Sequence, residues 1–125
     1  VKGEKESESA FIARRSQFAR DRLRELSALL PDSFGLSLSP RLLCSGVRLD
    51  KCKIMNSKQA PLWLCLEHAE TCGMSDNRLL VIFKVGDDLR QDSLTLQLLR
   101  VMNNIWMQQD MDLKMKPYGC VSTGK

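Results

Sequence analysis

Leu79-Leu80-Val81-Ile82-Phe83 runs directly into Lys84-Val85-Gly86-Asp87-Asp88-Leu89-Arg90-Gln91-Asp92, and the reading of the whole chain turns on this stretch. Five consecutive apolar residues bounded by polar ones suit a buried strand. Gly86 among charged neighbours marks its end. Beyond it the apolar residues change period: Leu94, Leu98, Val101, Met102, Ile105 and Trp106 make one wide helical stripe, the pattern of a helix packed into a core. Asp88 with Gln91 three residues later has the form of a capping box with Asp in place of Ser or Thr. Lys84 therefore stands at the end of a strand, and Asp92 in the first turn of the following helix.

Upstream, Arg48 to Asn56 reads as a strand, Ser57 to Ala60 as a polar turn and Pro61 to Glu67 as a second strand containing Trp63, together a hairpin with a polar tip. Ala69 to Arg78, with Gly73, Ser75, Asp76 and Asn77, reads as a surface loop leading into the Leu79 to Lys84 strand. Val1 to Ser9 is polar and aperiodic and reads as a frayed end. Ile12, Ala19, Leu23, Leu26 and Leu30 then fall on one helical face with Phe11 and Phe18 beside it. That amphipathic helix suits packing on the rest of the chain, or less readily a membrane surface. Pro31 to Pro40 is a linker by composition, and Leu113 to Lys116 suggests a further short strand before Pro117-Tyr118-Gly119-Cys120. The expected class is α+β: an antiparallel sheet with one long packed helix, preceded by an amphipathic helix. The expected division is 1–40, the N-terminal helix and linker, and 41–125.

Composition narrows the classes of function. The 125 residues, 43% hydrophobic and 27% charged, describe one globular domain at most. Five cysteines, Cys44, Cys52, Cys65, Cys72 and Cys120, are odd in number and form no Cys-x-x-Cys pair, and His68 is the single histidine. A reduced, cytoplasmic chain fits this pattern, and zinc does not. No apolar stretch approaches transmembrane length. The net charge of +4 arises from scattered basic residues without interleaved aromatics, which argues against a nucleic-acid partner.

Strand, hairpin, strand, helix and strand, with Lys84 before the helix, is the layout of a kinase small lobe. A nucleotide triphosphate needs a cation on a rigid element, and a carboxylate on the neighbouring helix can orient it. A lysine at a strand end is more often a snorkelling surface residue, so pattern alone favours that reading and leaves the functional one open.

Ile82-Phe83-Lys84-x-Gly86-Asp87-Asp88-Leu89-Arg90-Gln91-Asp92 followed by Leu94-Thr95-Leu96-Gln97 resembles the small lobe of a phosphoinositide 3-kinase catalytic subunit. The resemblance continues upstream in Cys52-Lys53-Ile54-Met55-Asn56-Ser57 and Pro61-Leu62-Trp63. Downstream it takes in Ile105-Trp106, Asp112-Leu113 and Pro117-Tyr118-Gly119-Cys120. Pro61-Leu62-Trp63 and Pro117-Tyr118-Gly119-Cys120 are closer to class I enzymes than to classes II and III. It spans about Leu30 to Gly124, and the helix before it looks like the segment joining a helical domain to the kinase domain. The resemblance implies Mg-ATP as cofactor and the 3-hydroxyl of phosphatidylinositol 4,5-bisphosphate as acceptor. It implies that Ser57 and Lys58 in the hairpin turn meet the β- and γ-phosphates, and that Lys84 meets the α-phosphate. Asp92 and Tyr118 would position these groups, and Met55, Pro61, Trp63 and Ile82 would wall the adenine. A regulatory subunit and peripheral recruitment of a cytoplasmic protein to membrane lipid are implied for the parent protein.

Ser93, Gln59, Val85 and Lys125 depart from the family pattern. Gln59 removes a cation near the phosphates, and Lys125 alters charge at the approach to the hinge. An Asp-Arg-His-x-x-Asn loop and an Asp-Phe-Gly segment, which the family uses to activate the acceptor and hold magnesium, do not occur in these residues. The large lobe is thus outside this sequence, and the chain by itself is expected to be inactive. Two other classes fit parts of the pattern. One is a phosphoinositide-kinase-like protein kinase, against which Pro61-Leu62-Trp63 speaks. The other is a truncated or pseudokinase module that binds a partner through the Phe11 to Leu30 helix.

Overall fold

In the computed structural model, which describes residues 7–70 and 76–124, the chain is α+β. A helix, a five-stranded antiparallel sheet and a second long helix follow one another. The described residues through Leu36 form one compact unit with Arg41–Gly86. Ser37–Pro40 and the described residues from Asp87 onward form another.

The first helix, α1 (Glu8–Ser27), starts where Ser7 in extended conformation caps it, its Oγ accepting from the Ala10 amide at 3.3 Å. Ser7, Glu8 and Ser9 therefore open a helix rather than fray, and residues 1–6 lie outside the described part. The face that α1 covers runs through Ile12, Ser16, Ala19, Arg20 and Leu23. Phe18 and Leu26 are 63% and 57% exposed, so the covered stripe includes polar residues that hydrophobic periodicity passes over.

Pro31 to Pro40, a linker by composition, contains strand β1 (Phe34–Leu36) and the first residues of β2 (Ser39–Val47). Its serines and glycine satisfy a tight reversal between paired strands as well as they would a linker. The strand expected over Arg48 to Asn56 is instead a 3-10 turn, Leu49–Lys51, and a two-residue strand β3 (Lys53–Ile54). Strand β4 (Leu62–His68) is central. Strand β5 (Arg78–Phe83) pairs along one side from Leu62↔Phe83 to Glu67↔Arg78. On the other side β3 and β2 follow in tandem, with Ile54↔Leu62 and Val47↔Leu66.

The core of this unit is small and thiol-rich: Cys44, Cys52 and Cys65 are at most 1% exposed and Leu66 is 5% exposed. Cys52 donates its Sγ hydrogen to the Arg48 carbonyl at 3.2 Å and accepts from the Cys65 amide at 3.4 Å. Burial pushes the Cys44 and Cys52 thiols above their ordinary range. Arg48 joins three segments, donating to Glu67 Oε1 at 2.8 Å and to Asn77 Oδ1 at 2.9 Å. Both members of the Arg48–Glu67 pair are about a third exposed, which limits that pair to about 1 kcal/mol.

The apolar run that suggests a buried strand forms an edge. In β5, Leu80 and Ile82 are 56% and 49% exposed while the alternate Leu79 and Val81 are half-buried, because the described residues leave that face of the sheet open. Gly86, at φ +71°, turns the chain after it, a conformation that an L side chain resists. Of the loop expected over Ala69 to Arg78, residues 71–75 lie outside the described part and Arg78 already belongs to β5.

In the second unit, helix α2 (Arg90–Gln108) is capped at Leu89, not through the expected Asp88–Gln91 box. Asp88 acts locally: its Oδ1 accepts from the Arg90 amide at 3.0 Å and its carboxylate holds the Arg90 guanidinium. The stripe assigned to core is largely open, with Leu94, Leu98, Val101 and Ile105 at 53–57% exposed. The buried position is Leu96, 2% exposed, followed by half-buried Leu99, Asn103 and Trp106. Periodicity identifies an apolar face but not what covers it, and the described residues leave that face uncovered. No strand forms over Leu113 to Lys116. Asp110 and Lys114 adopt φ of 55° and 56°, which interrupts extended backbone there.

Candidate functional site

Seven of the nine residues singled out by sequence lie in the first unit. The turn between β3 and β4 is closed at its base by the Met55 amide donating to the Pro61 carbonyl at 2.9 Å. Inside it the Ser57 amide donates to Met55 O at 3.0 Å and the Ala60 amide donates to Ser57 O at 2.9 Å. Ala60 takes φ +43° to complete the reversal. The ring of Pro61 is buried, Met55 is half-buried, and Ser57 and Lys58 are exposed at the tip. A short loop fixed by its own backbone bonds thus presents a hydroxyl and an ammonium to solvent, the groups a polyphosphate needs.

Beside this loop, the ladder sets Lys53 opposite Trp63 and Trp63 opposite Ile82. Because side chains alternate along each strand, Lys53, Trp63 and Ile82 share one face of the sheet. The Lys53 ammonium lies 6.0 Å from the Trp63 ring centroid, a cation–π contact. A cavity of about 360 Å³ opens on this face, lined by Lys53, Trp63, Cys65 and Leu80 among others. Lys84 is half-buried and follows Ile82 by two residues, in phase with it along the chain. A larger groove of about 650 Å³ lies between α1 and the opposite face, at Ile54 and Leu62. It contains none of the nine residues.

Asp92 and Tyr118 belong to the second unit. Asp92 is half-buried in the first turn of α2, where the helix dipole favours a carboxylate. The Tyr118 ring is 65% exposed. Its carbonyl accepts from Arg100 Nη2 at 3.3 Å, about two turns of α2 beyond Asp92. The structure therefore gathers Met55, Ser57, Lys58, Pro61, Trp63 and Ile82 around one end of the sheet, and it places Asp92 and Tyr118 on a separate helix and its trailing segment.

Lys53 was not singled out by sequence. The signal was available in its position two residues before Met55, which puts both on one face of a strand. Ser16 of α1 bonds to the β3 backbone at Ile54 and Arg20 to the Cys52 carbonyl just before β3, and no motif marks them.

Residues 78–125 match the family described as phosphatidylinositol 3- and 4-kinase. Phosphatidylinositol 3-kinase 2 of Dictyostelium discoideum is 52% identical over 94 residues, which is 75% of this chain and 5% of that protein. Phosphatidylinositol 3-kinase 1 of the same organism is 47% identical over 94 residues, 75% of this chain and 6% of that protein. The chain spans only these small fractions of the curated relatives it matches. With such identity carried through three quarters of its length, the chain belongs to the phosphatidylinositol 3-kinase family.

Proposed function

We propose that this chain is the ATP-binding small lobe of a class I-like phosphatidylinositol 3-kinase catalytic subunit. The parent protein transfers the γ-phosphoryl of Mg-ATP to the inositol 3-hydroxyl of phosphatidylinositol 4,5-bisphosphate. The observation that carries the reading is the juxtaposition of the self-bonded Met55–Pro61 loop with the Lys53–Trp63–Ile82 row. A cationic, hydroxyl-bearing loop beside an aromatic and aliphatic face is a shape that takes a nucleotide. In this reading Ser57 and Lys58 hold the β- and γ-phosphates, Lys84 holds the α-phosphate, and Met55, Pro61, Trp63 and Ile82 wall the adenine. Asp92 and Tyr118 position the cleft.

Magnesium ligands and the group that activates the acceptor hydroxyl come from a catalytic loop and an Asp-Phe-Gly segment outside these residues. The chain by itself therefore transfers no phosphoryl group. The parent protein is cytoplasmic, meets its lipid as a peripheral membrane protein and works with a regulatory subunit. No helix among the described residues is long and apolar enough to cross a membrane.

Lys84→Arg in the parent protein tests the nucleotide reading. The guanidinium keeps the charge but changes its geometry, so fluorescent-nucleotide affinity and lipid phosphorylation should fall at least about tenfold each. Unchanged nucleotide affinity would remove the reading. Lipid phosphorylation by the purified 125-residue chain would refute its inactivity.

A further inference from the structure

We infer that Ser16 and Arg20 of α1 are positioning residues for the phosphate loop, and this rests on the nucleotide reading above. Strand β3 has two residues, and its inner side is used by β4: Lys53 faces Trp63, and Met55 donates to Pro61. Its outer edge therefore turns the Ile54 N–H and the Cys52 C=O away from the sheet, where an edge strand has no partner. Helix α1 supplies both partners. The Ile54 amide donates to Ser16 Oγ at 3.1 Å, and Arg20 Nε donates to the Cys52 carbonyl at 2.9 Å. Ser16, 5% exposed, is the one polar side chain buried among the described residues.

The spacing explains why a helix can replace a strand here. Four residues of helix rise about 6 Å, and two residues of strand advance about 6.6 Å. Side chains at 16 and 20 therefore meet backbone groups at 54 and 52 in register. The series runs on toward the loop, where Asn56 Nδ2 donates to Glu8 Oε1 at 3.4 Å. Residues 52, 54 and 56 thus each bond to α1, and the next residue is Ser57. Two points fix the strand from which the loop springs, and a third lies inside the loop. The β- and γ-phosphate contacts depend on where Ser57 and Lys58 stand, so the hydroxyl of Ser16 acts on nucleotide affinity without touching nucleotide.

The test is steady-state kinetics of the full-length enzyme carrying Ser16→Ala, Ser16→Thr or Arg20→Ala, with Lys84→Arg in parallel. Ser16→Ala and Arg20→Ala should each raise KM for ATP about fivefold and change kcat at saturating ATP less than about twofold. Ser16→Thr, which keeps the hydroxyl, should restore KM. An unchanged KM in Ser16→Ala, or equal loss in Ala and Thr, overturns the inference; if Lys84→Arg still lowers nucleotide affinity at least about tenfold, the nucleotide reading stands. Unchanged nucleotide binding in Lys84→Arg overturns both. Should Ser16→Ala not fold, amide exchange in the wild-type enzyme decides. An Ile54 amide as slow as that of Met55 supports the inference, and rapid exchange at Ile54 overturns it.

Discussion

Trp63 stands directly opposite Ile82 across the β4–β5 ladder, and the same ring carries the Lys53 ammonium 6.0 Å from its centroid on the other side. The three residues form a continuous row across three strands. Trp63 is half-buried within it, and Ile82 is 49% exposed. Packing thus divides unequally between them: the indole is partly covered within the sheet, while the isoleucine is open on the same face.

This division is open to measurement in the parent protein. Trp63→Ala should cost about 2 kcal/mol, less than a fully buried Trp because the ring is only half covered. Ile82→Ala should cost under about 1 kcal/mol. Both should weaken ATP, and Ile82→Ala should do so with almost no change in denaturant midpoint. A loss of stability from Ile82→Ala as large as that from Trp63→Ala would contradict the assignment of their roles.

A second prediction concerns acid. The Arg90 guanidinium, and after it the Arg90 amide, hold the Asp88 carboxyl down at about 2, from an ordinary 3.8. A carboxyl lowered in the folded state contributes stability that is fully present above its ordinary range and disappears as pH falls through the folded value. The start of α2 should therefore loosen between about pH 4 and pH 2. Helicity followed by circular dichroism should decline over that window. Asp88→Asn keeps an oxygen for the Arg90 amide but no charge, so its decline should be shallower. Asp76 and Asp112, lowered by Arg78 and Lys114 respectively, leave a residual slope. An identical pH profile for Asp88→Asn would show that the pair does not couple to the helix.

The features that were legible in sequence are those set by local chemistry. The Ser57–Ala60 reversal, the β4 and β5 strands and the helix after Gly86 follow from turn residues and periodicity, and each lies within a few residues of its expected bounds. What sequence concealed depends on pairing. Phe34–Leu36 is a strand only because β2 lies beside it, and serine, glycine and proline around it look the same in a linker. Leu79 to Phe83 reads as buried because its composition is apolar, yet what covers each face of the sheet decides exposure. The helical stripe from Leu94 to Ile105 was recognisable as apolar, but Leu96, off that stripe, is the buried residue. At the site, the residues of the turn and ladder were named from the family resemblance, whereas Ser16 and Arg20 act through backbone atoms that carry no side-chain signature.

Helix α2 offers a direct comparison between a buried and an exposed leucine. Leu96 is 2% exposed, and Leu98, two residues on, is 57% exposed. In the 125-residue chain, Leu96→Ala should lower stability by about 2–4 kcal/mol, while Leu98→Ala should change it by less than about 1 kcal/mol. Leu94→Gln with Leu98→Gln should also reduce self-association, since it breaks an open apolar face. Sedimentation velocity and urea unfolding read the two effects separately. Equal destabilisation at 96 and 98 would mean that the helix buries its broad stripe after all.

The thiols give the last prediction. Burial is the main cause raising the Cys44 and Cys52 thiols, and at Cys52 it outweighs the opposing bond from the Cys65 amide. Raised thiols hold less thiolate at neutral pH, and their sulfurs are also screened from reagent. Cys120 is half-buried and free. Maleimide labelling of the native protein at neutral pH, with sites identified by mass spectrometry, should modify Cys120 at least about tenfold faster than Cys44 or Cys52. In urea the difference should collapse as the core opens. Cys52→Ser separates packing from chemistry. It leaves the Cys65 amide a nearby acceptor but buries a more polar hydroxyl among apolar groups, so it should cost about 1–2 kcal/mol. Native-state labelling of Cys52 as fast as Cys120 would show that β3 opens from the sheet, and with it the strand from which the Ser57–Ala60 turn springs.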